Sequence, residues 1–179
     1  MVPVTETTRL ALVQFAPEDA AFILELLNEP GWLRFIGDRN VHSENDARAY
    51  IANGPARSYA EHGFGLWKVT LRESGEALGM CGLIQRPQLE RVDVGFAFLE
   101  RHWGRGYARE AVAATLALAR GRYGLAGLAA ITDPENHASQ KVLTDSGFRY
   151  NRLLETKIGG QENLHYLLDF EPARKGSVR

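Results

Sequence analysis

Val94-Gly95-Phe96-Ala97-Phe98-Leu99-Glu100-Arg101-His102-Trp103-Gly104-Arg105-Gly106-Tyr107-Ala108-Arg109-Glu110-Ala111 is the stretch whose reading decides the fold. Val92, Val94, Phe96 and Phe98 alternate as one face of a strand requires, which predicts a strand over 91–99. Gly104 and Gly106 then punctuate a short loop. From Tyr107 the period changes, and Val112, Leu116, Ala119 and Tyr123 fall on one side of a helix over 107–123. The first amides of such a helix have no partner inside it and sit at the positive end of its dipole. Glycines without a Cβ let a ligand approach the backbone there. The turn therefore suits an anion such as a pyrophosphate, and Arg101, Arg105 and Arg109 add charge in a form matched to phosphate. A plain tight turn would use the same two glycines. Spacing rules out two other phosphate loops: no Gly-Lys-Ser/Thr follows, and Arg109 stands where a dinucleotide fingerprint has its third glycine.

Working outward, a short buried strand is expected at 128–132 and a helix at 136–146. Gly147 caps that helix, and strands follow at 148–155 and 163–170, joined by a turn at Gly159-Gly160. Upstream, 10–13 reads as a strand, and Pro17 opens a helix through Asn28 with Phe22, Ile23, Leu26 and Leu27 together. Residues 31–41 read as irregular. Ser43-Glu44-Asn45-Asp46 has the form of a capping box starting a helix, which Asn53-Gly54-Pro55 should stop, with more helix at 56–61. Strands at 65–71 and 77–85 lead into the central stretch. Consecutive hairpins imply antiparallel pairing, and strand–helix–strand units imply parallel pairing. The expected class is α+β, an α/β/α sandwich: a mixed, mostly antiparallel seven-stranded sheet with helices on both faces.

The chain of 179 residues suits one domain, 1–179, with a folded core over 8–171 and a frayed polar tail over 172–179. Lys+Arg number 21 against 22 Asp+Glu, so nothing points to nucleic acid or to an anionic membrane surface. The start of the chain has no apolar signal core, and no apolar stretch reaches membrane-spanning length. The single cysteine, Cys81, lies in an apolar strand and reads as a core residue of a reduced, cytoplasmic protein.

Two motifs together resemble a known family. Arg101-x-x-Gly104-x-Gly106-x-Ala108 is similar to the Arg/Gln-x-x-Gly-x-Gly/Ala signature of the GNAT acetyltransferase superfamily. The run Trp103 to Ala111 resembles its RimJ/RimL-like branch, the ribosomal-protein N-acetyltransferases. Downstream, Asn136-x-x-Ser139-x-x-Val142-Leu143-x-x-x-Gly147-Phe148 matches a second family segment in the right order. The likeness spans roughly Leu10 to Phe170 and is sharp from Val94 to Phe148.

The resemblance implies an N-acetyltransferase that moves an acetyl group directly from acetyl-CoA to a primary amine, as a monomer or homodimer and without a metal. It implies a bulge in the strand before the loop, with Phe98 and Leu99 as backbone partners of the pantetheine arm and an amide near Ala97 or Phe98 at the thioester oxygen. Arg101, Gly104, Arg105, Gly106, Tyr107 and Ala108 would cradle the pyrophosphate. Asn136 would hold the pantetheine arm, although an Asn there also suits a helix N-cap. Asp93 is the candidate base, with a solvent-facing carboxylate as the alternative; Glu100 and His102 are weaker candidates. Many relatives carry a Tyr acid where this chain has Leu143, so Ser139 is the candidate partner of the leaving sulfur. Trp32, Phe35, His42 and Trp67 are expected to line an acceptor pocket, where aromatic walls beside Asp38, Glu61 and Asp93 suit a cationic amine. The same fold could instead serve as a non-catalytic acyl-CoA-binding module.

Overall fold

The computed structural model describes residues 2–171, so the tail expected at 172–179 lies outside the described residues. In chain order the strands are β1 (Thr5–Glu6), β2 (Leu10–Val13), β3 (Leu66–Leu71), β4 (Ala77–Ile84), β5 (Asp93–Phe98), β6 (Gly127–Thr132), β7 (Arg149–Leu153) and β8 (Leu164–Asp169). The helices are α1 (Ala20–Leu27), α2 (Pro30–Phe35), α3 (Glu44–Ile51), α4 (Arg57–His62), α5 (Tyr107–Gly121) and α6 (His137–Asp145). All strands join one sheet in the order β1-β2-β3-β4-β5-β6-β8-β7. The sheet has eight strands, not the expected seven; the added one is the two-residue β1, too short and polar to leave a periodic signal. Every pairing is antiparallel except β5 with β6.

Alternation along the strands divides the core between the two faces. Leu78, Cys81, Val94 and Phe98 pack with Ala111, Val112 and Ala119 of α5, and Leu143 of α6 joins them. The alanines of α5 let it sit close to the sheet. On the other face Met80, Ala97 and Leu99 pack against Ile23, Leu26 and Leu27 of α1 and Ala47 and Ile51 of α3. Burial of Leu- or Ile-sized side chains such as these contributes about 1.5–3 kcal/mol each.

Two helical expectations need correction. Residues 31–41 are not wholly irregular, because Pro30 at the first helical position starts α2. Asn53-Gly54-Pro55 does not stop the helix either. The chain passes through one wide turn, Ala52–Ala56, and continues into α4. Pro55 has no amide to donate, and a π-type turn absorbs the missing bond that would break a regular helix. Of the capping box, the N-cap half forms: the Asp46 amide donates to Ser43 Oγ at 3.1 Å, while the Asp46 carboxylate accepts from the His42 amide at 3.0 Å. Among the described residues no helix is long and apolar enough to cross a membrane.

Candidate active site

Where β5 meets β6 the sheet comes apart. The two strands share one register pair, Asp93 with Ala129, and the Ala129 amide donates to the Val92 carbonyl at 2.9 Å. On its other edge β6 pairs with β8 along its whole length, from Gly127 to Thr132. On its other side β5 stays in continuous register with β4 from Asp93 to Phe98, so the expected bulge is absent. The Leu99 amide donates to the Leu78 carbonyl at 2.9 Å. Antiparallel alternation then turns Ala97 and Gly95 toward β4, and the amides of Val94, Phe96 and Phe98 the other way; the register pair takes up Val94, and Phe96 and Phe98 face the gap. This corrects two expectations. Leu99 has no amide to offer a cofactor, and of the pair Ala97/Phe98 it is Phe98 that faces the opening. The Phe98 carbonyl is already taken by Trp103 Nε1 at 2.8 Å.

The gap opens into a cleft of ≈ 630 Å³ that runs through the sheet. On the side of α5 and α6 it is lined by Phe96, Asn136, Ser139 and Leu143; on the other by Trp32, Phe35 and Tyr50. Asp93 lies at the apex, 1% exposed, and accepts from Arg86 Nε at 3.1 and 3.2 Å on its two oxygens. It is therefore not the solvent-facing carboxylate of the alternative reading. Burial pushes its carboxyl up to about 6, against the pull of the Arg86 guanidinium. Asn136 caps α6, its Oδ1 accepting from the Ser139 amide at 3.1 Å. That uses the oxygen and leaves the Nδ2 group without a protein acceptor among the described residues, so a cap and a ligand contact are compatible in one side chain.

The glycine loop lies outside this cleft, on the open surface past the end of β5. Gly104 (φ 73) and Gly106 (φ 79) are both left-handed, a backbone that other L residues adopt only with strain. A side chain at Gly104 would meet nothing within 4 Å. Among the described residues the amides of Gly104, Arg105, Gly106, Tyr107 and Ala108 have no protein acceptor. Arg101 sends its guanidinium away to Glu25 of α1, so it offers this loop only its backbone. Arg105 is exposed, and Arg109 sits 3.9 Å from Asp145 of α6.

A clasp not foreseen from the sequence fixes the loop. Arg9 donates through Nη1 to the Arg105 carbonyl at 3.0 Å, lies 4.7 Å over the Tyr107 ring and pairs through Nε with Glu110 at 2.6 Å. Glu110 also accepts from Thr7 Oγ1 at 2.6 Å and the Arg9 amide at 3.0 Å. Burial works to raise the Glu110 carboxyl, but these bonds outweigh it and hold it below the ordinary range. The only trace in the sequence is an acid in the first turn of α5, which reads equally as dipole compensation. Arg86 escaped notice because Pro87 marked its segment as a strand end.

Four other expected site residues sit elsewhere. Trp67 is a core residue, 1% exposed and stacked on Tyr123, because its side of β3 faces α5. His42 lies on the surface 3.7 Å from Asp38, lining a separate shallow hollow beside α1. Glu100 accepts from the Gly31 amide at 2.8 Å, tying the loop to α2. His102 is buried against Tyr107 rather than turned to solvent. Its Nε2 is 3.2 Å from Glu76 Oε1, but the geometry is too poor for a hydrogen bond.

Residues 9–149 match the family model of the acetyltransferase (GNAT) domain, and the chain belongs to the GNAT acetyltransferases. It is 30% identical over 154 residues to the Bacillus subtilis (strain 168) protein YkkB, covering 84% of this chain and 87% of the relative. A crystal structure of an acetyltransferase from Agrobacterium tumefaciens str. C58 superposes with a TM-score of 0.80 at 25% identity, covering 95% of this chain and 96% of that one. RimL, a ribosomal L7/L12 alpha-N-protein acetyltransferase solved in complex with coenzyme A, shares the fold at TM-score 0.78 and 15% identity, over 94% and 98% of the two chains.

Proposed function

We propose that this acetyltransferase moves an acetyl group from acetyl-CoA directly to a primary amine inside the β5–β6 cleft. The observation that carries the reading is one line of unpaired backbone donors. It runs from Phe96 and Phe98 along the open edge of β5 to residues 104–108 at the start of α5. Such donors bind an extended polar arm ending in a diphosphate without needing particular side chains. Acetyl-CoA supplies the activated acyl group; the chain supplies position, charge and a proton acceptor.

In this reading the amides of Gly104, Arg105, Gly106, Tyr107 and Ala108 hold the diphosphate, and Asn136 Nδ2 holds the pantetheine arm. The amine enters from the side of Trp32 and Phe35 and gives its proton to Asp93, whose raised carboxyl is better matched to that task than an ordinary aspartate. The neutral nitrogen attacks the thioester carbon. The charge that develops on oxygen is met by an amide of the open edge, Phe98 or Phe96. The carbon–sulfur bond breaks as the second proton of the attacking nitrogen passes, relayed by the Ser139 hydroxyl, to the departing sulfur, which leaves the amide and a free thiol. Cys81 takes no part: burial pushes its thiol up to about 12, which leaves no thiolate to carry an acyl group.

The test mixes purified protein with acetyl-CoA and a panel of amines, from peptide N-termini to small amines, and follows free thiol. Turnover with at least one acceptor is expected, together with loss of CoA binding in Gly104→Glu, which brings negative charge to the diphosphate site. CoA retention by Gly104→Glu equal to wild type would overturn the cofactor assignment. Tight CoA binding with no thiol release across the panel would favour a binding module over a transferase.

A further inference from the structure

The charges of the cleft do not balance locally. Arg86 is matched by Asp93, and Arg57 pairs with Glu61 at 2.7 Å. Arg39, from the segment between α2 and α3, also lines the cleft and is half-buried, yet no carboxylate lies within ion-pair distance of it among the described residues. Its place is built. Nη1 and Nη2 stand 3.0 and 3.1 Å from the point where a side chain on Gly159 would begin, so the glycine of the β7–β8 hairpin makes room for the guanidinium. Gly159 is itself left-handed at φ 64. The half-buried ring of Tyr50 lines the same cleft, within the field of both Arg39 and Arg86. Asp133 lines the same cleft, and among the described residues no cation lies against it; its Oδ1 accepts from the Glu135 amide at 2.8 Å. A half-buried guanidinium presented without a counterion is a ready site for a carboxylate, which its planar fork can bind through two hydrogen bonds.

We infer that the acceptor is a small zwitterion, an amine that also carries a carboxylate, with Arg39 binding the carboxylate while the amine faces Asp93. This rests on the transfer reading above and narrows it. The aromatic and acidic residues noted in the sequence pointed to a plain cationic amine; the unmatched arginine in the cleft changes the substrate class to one resembling a free amino acid.

The test separates this from turnover. Protein saturated with CoA is titrated calorimetrically with N-acetyl derivatives of the twenty common amino acids and, in parallel, with their carboxamides, which differ only in the negative charge. The best-bound acid should bind about ten-fold tighter than its carboxamide, the size expected for a charge-assisted pair. Arg39→Ala should bring that ratio to about one while leaving CoA affinity unchanged, and Arg39→Lys should restore part of it. Equal binding of acid and carboxamide by the wild type, a preference that survives in Arg39→Ala, or no binding of either series overturns the inference. Thiol release is measured separately with the free amino acids. An Arg39-dependent preference for acids without thiol release would keep the carboxylate site and reject the transfer reading.

Discussion

Replacing Asp93 by Asn should make the protein more stable at alkaline pH and nearly inactive. The carboxyl is 1% exposed, and among the described residues its side-chain partner is Arg86 Nε, at 3.1 and 3.2 Å. Burial moves it from its ordinary 3.8 up to about 6. The folded carboxyl thus binds its proton more tightly than the unfolded one. The stability linked to that proton is complete below about pH 3.8 and lost as pH rises through about 6. Above that point the fold carries a buried carboxylate, at a cost of about 3 kcal/mol for a rise of some two units. Asparagine has the same shape and no charge, so it removes this cost. Arg86 loses its partner in exchange, but its side chain is 24% exposed and water can reach it. The net expectation is a gain of about 1–3 kcal/mol at pH 8 and none at pH 4, read from urea unfolding at both values. In the same variant kcat/KM should fall by about 10²–10⁴, the usual contribution of a positioned base. A variant destabilised equally at both pH values would refute the burial argument, and unchanged kcat/KM would remove Asp93 from the chemistry.

Three further outcomes follow from the same geometry. Gly106→Ala should lose about 1–2 kcal/mol, since φ 79 strains any L residue and the new Cβ meets Arg9 Nη2 at 3.4 Å; calorimetry should also show CoA affinity reduced about ten-fold. Glu110→Gln should unclasp Arg9 from the loop. Because the Glu110 carboxyl is held below its ordinary 4.5, its stabilisation is present above that pH and lost as pH falls through the folded value, so unfolding should show a loss of about 1–2 kcal/mol at pH 7 that shrinks as the pH is lowered below 4.5. Iodoacetamide should label Cys81 only in urea, and pretreatment of the folded protein should leave turnover unchanged; rapid labelling of the native protein would contradict the buried, protonated thiol.

The parts of the fold that were legible share one feature: a regular apolar period. The alternation at Val92, Val94, Phe96 and Phe98 placed β5, and the helical spacing after Gly106 placed α5 to within two residues of its end. Elements without a period were missed. β1 has two residues, α2 is a single short turn after a proline, and the wide turn at Ala52–Ala56 uses the very residues that normally end a helix. The glycine loop was legible because its chemistry is local: left-handed glycines and a helix start occupy one short segment. The rest of the site is assembled across the chain. Arg9 reaches Glu110 over 101 positions, and Arg39 rests on Gly159. Trp67 and Tyr50 carry similar aromatic signals, yet sheet pleat sends one into the core beneath α5 and helix register sends the other into the cleft. No property of either residue alone distinguishes them.

A crystal structure with CoA bound tests the central claim most directly. The amides of residues 104–108 should lie about 2.7–3.2 Å from diphosphate oxygens, with the pantetheine arm running along the open edge of β5 toward Asp93. A diphosphate bound anywhere else on the molecule, with those amides still unpaired, would contradict the account.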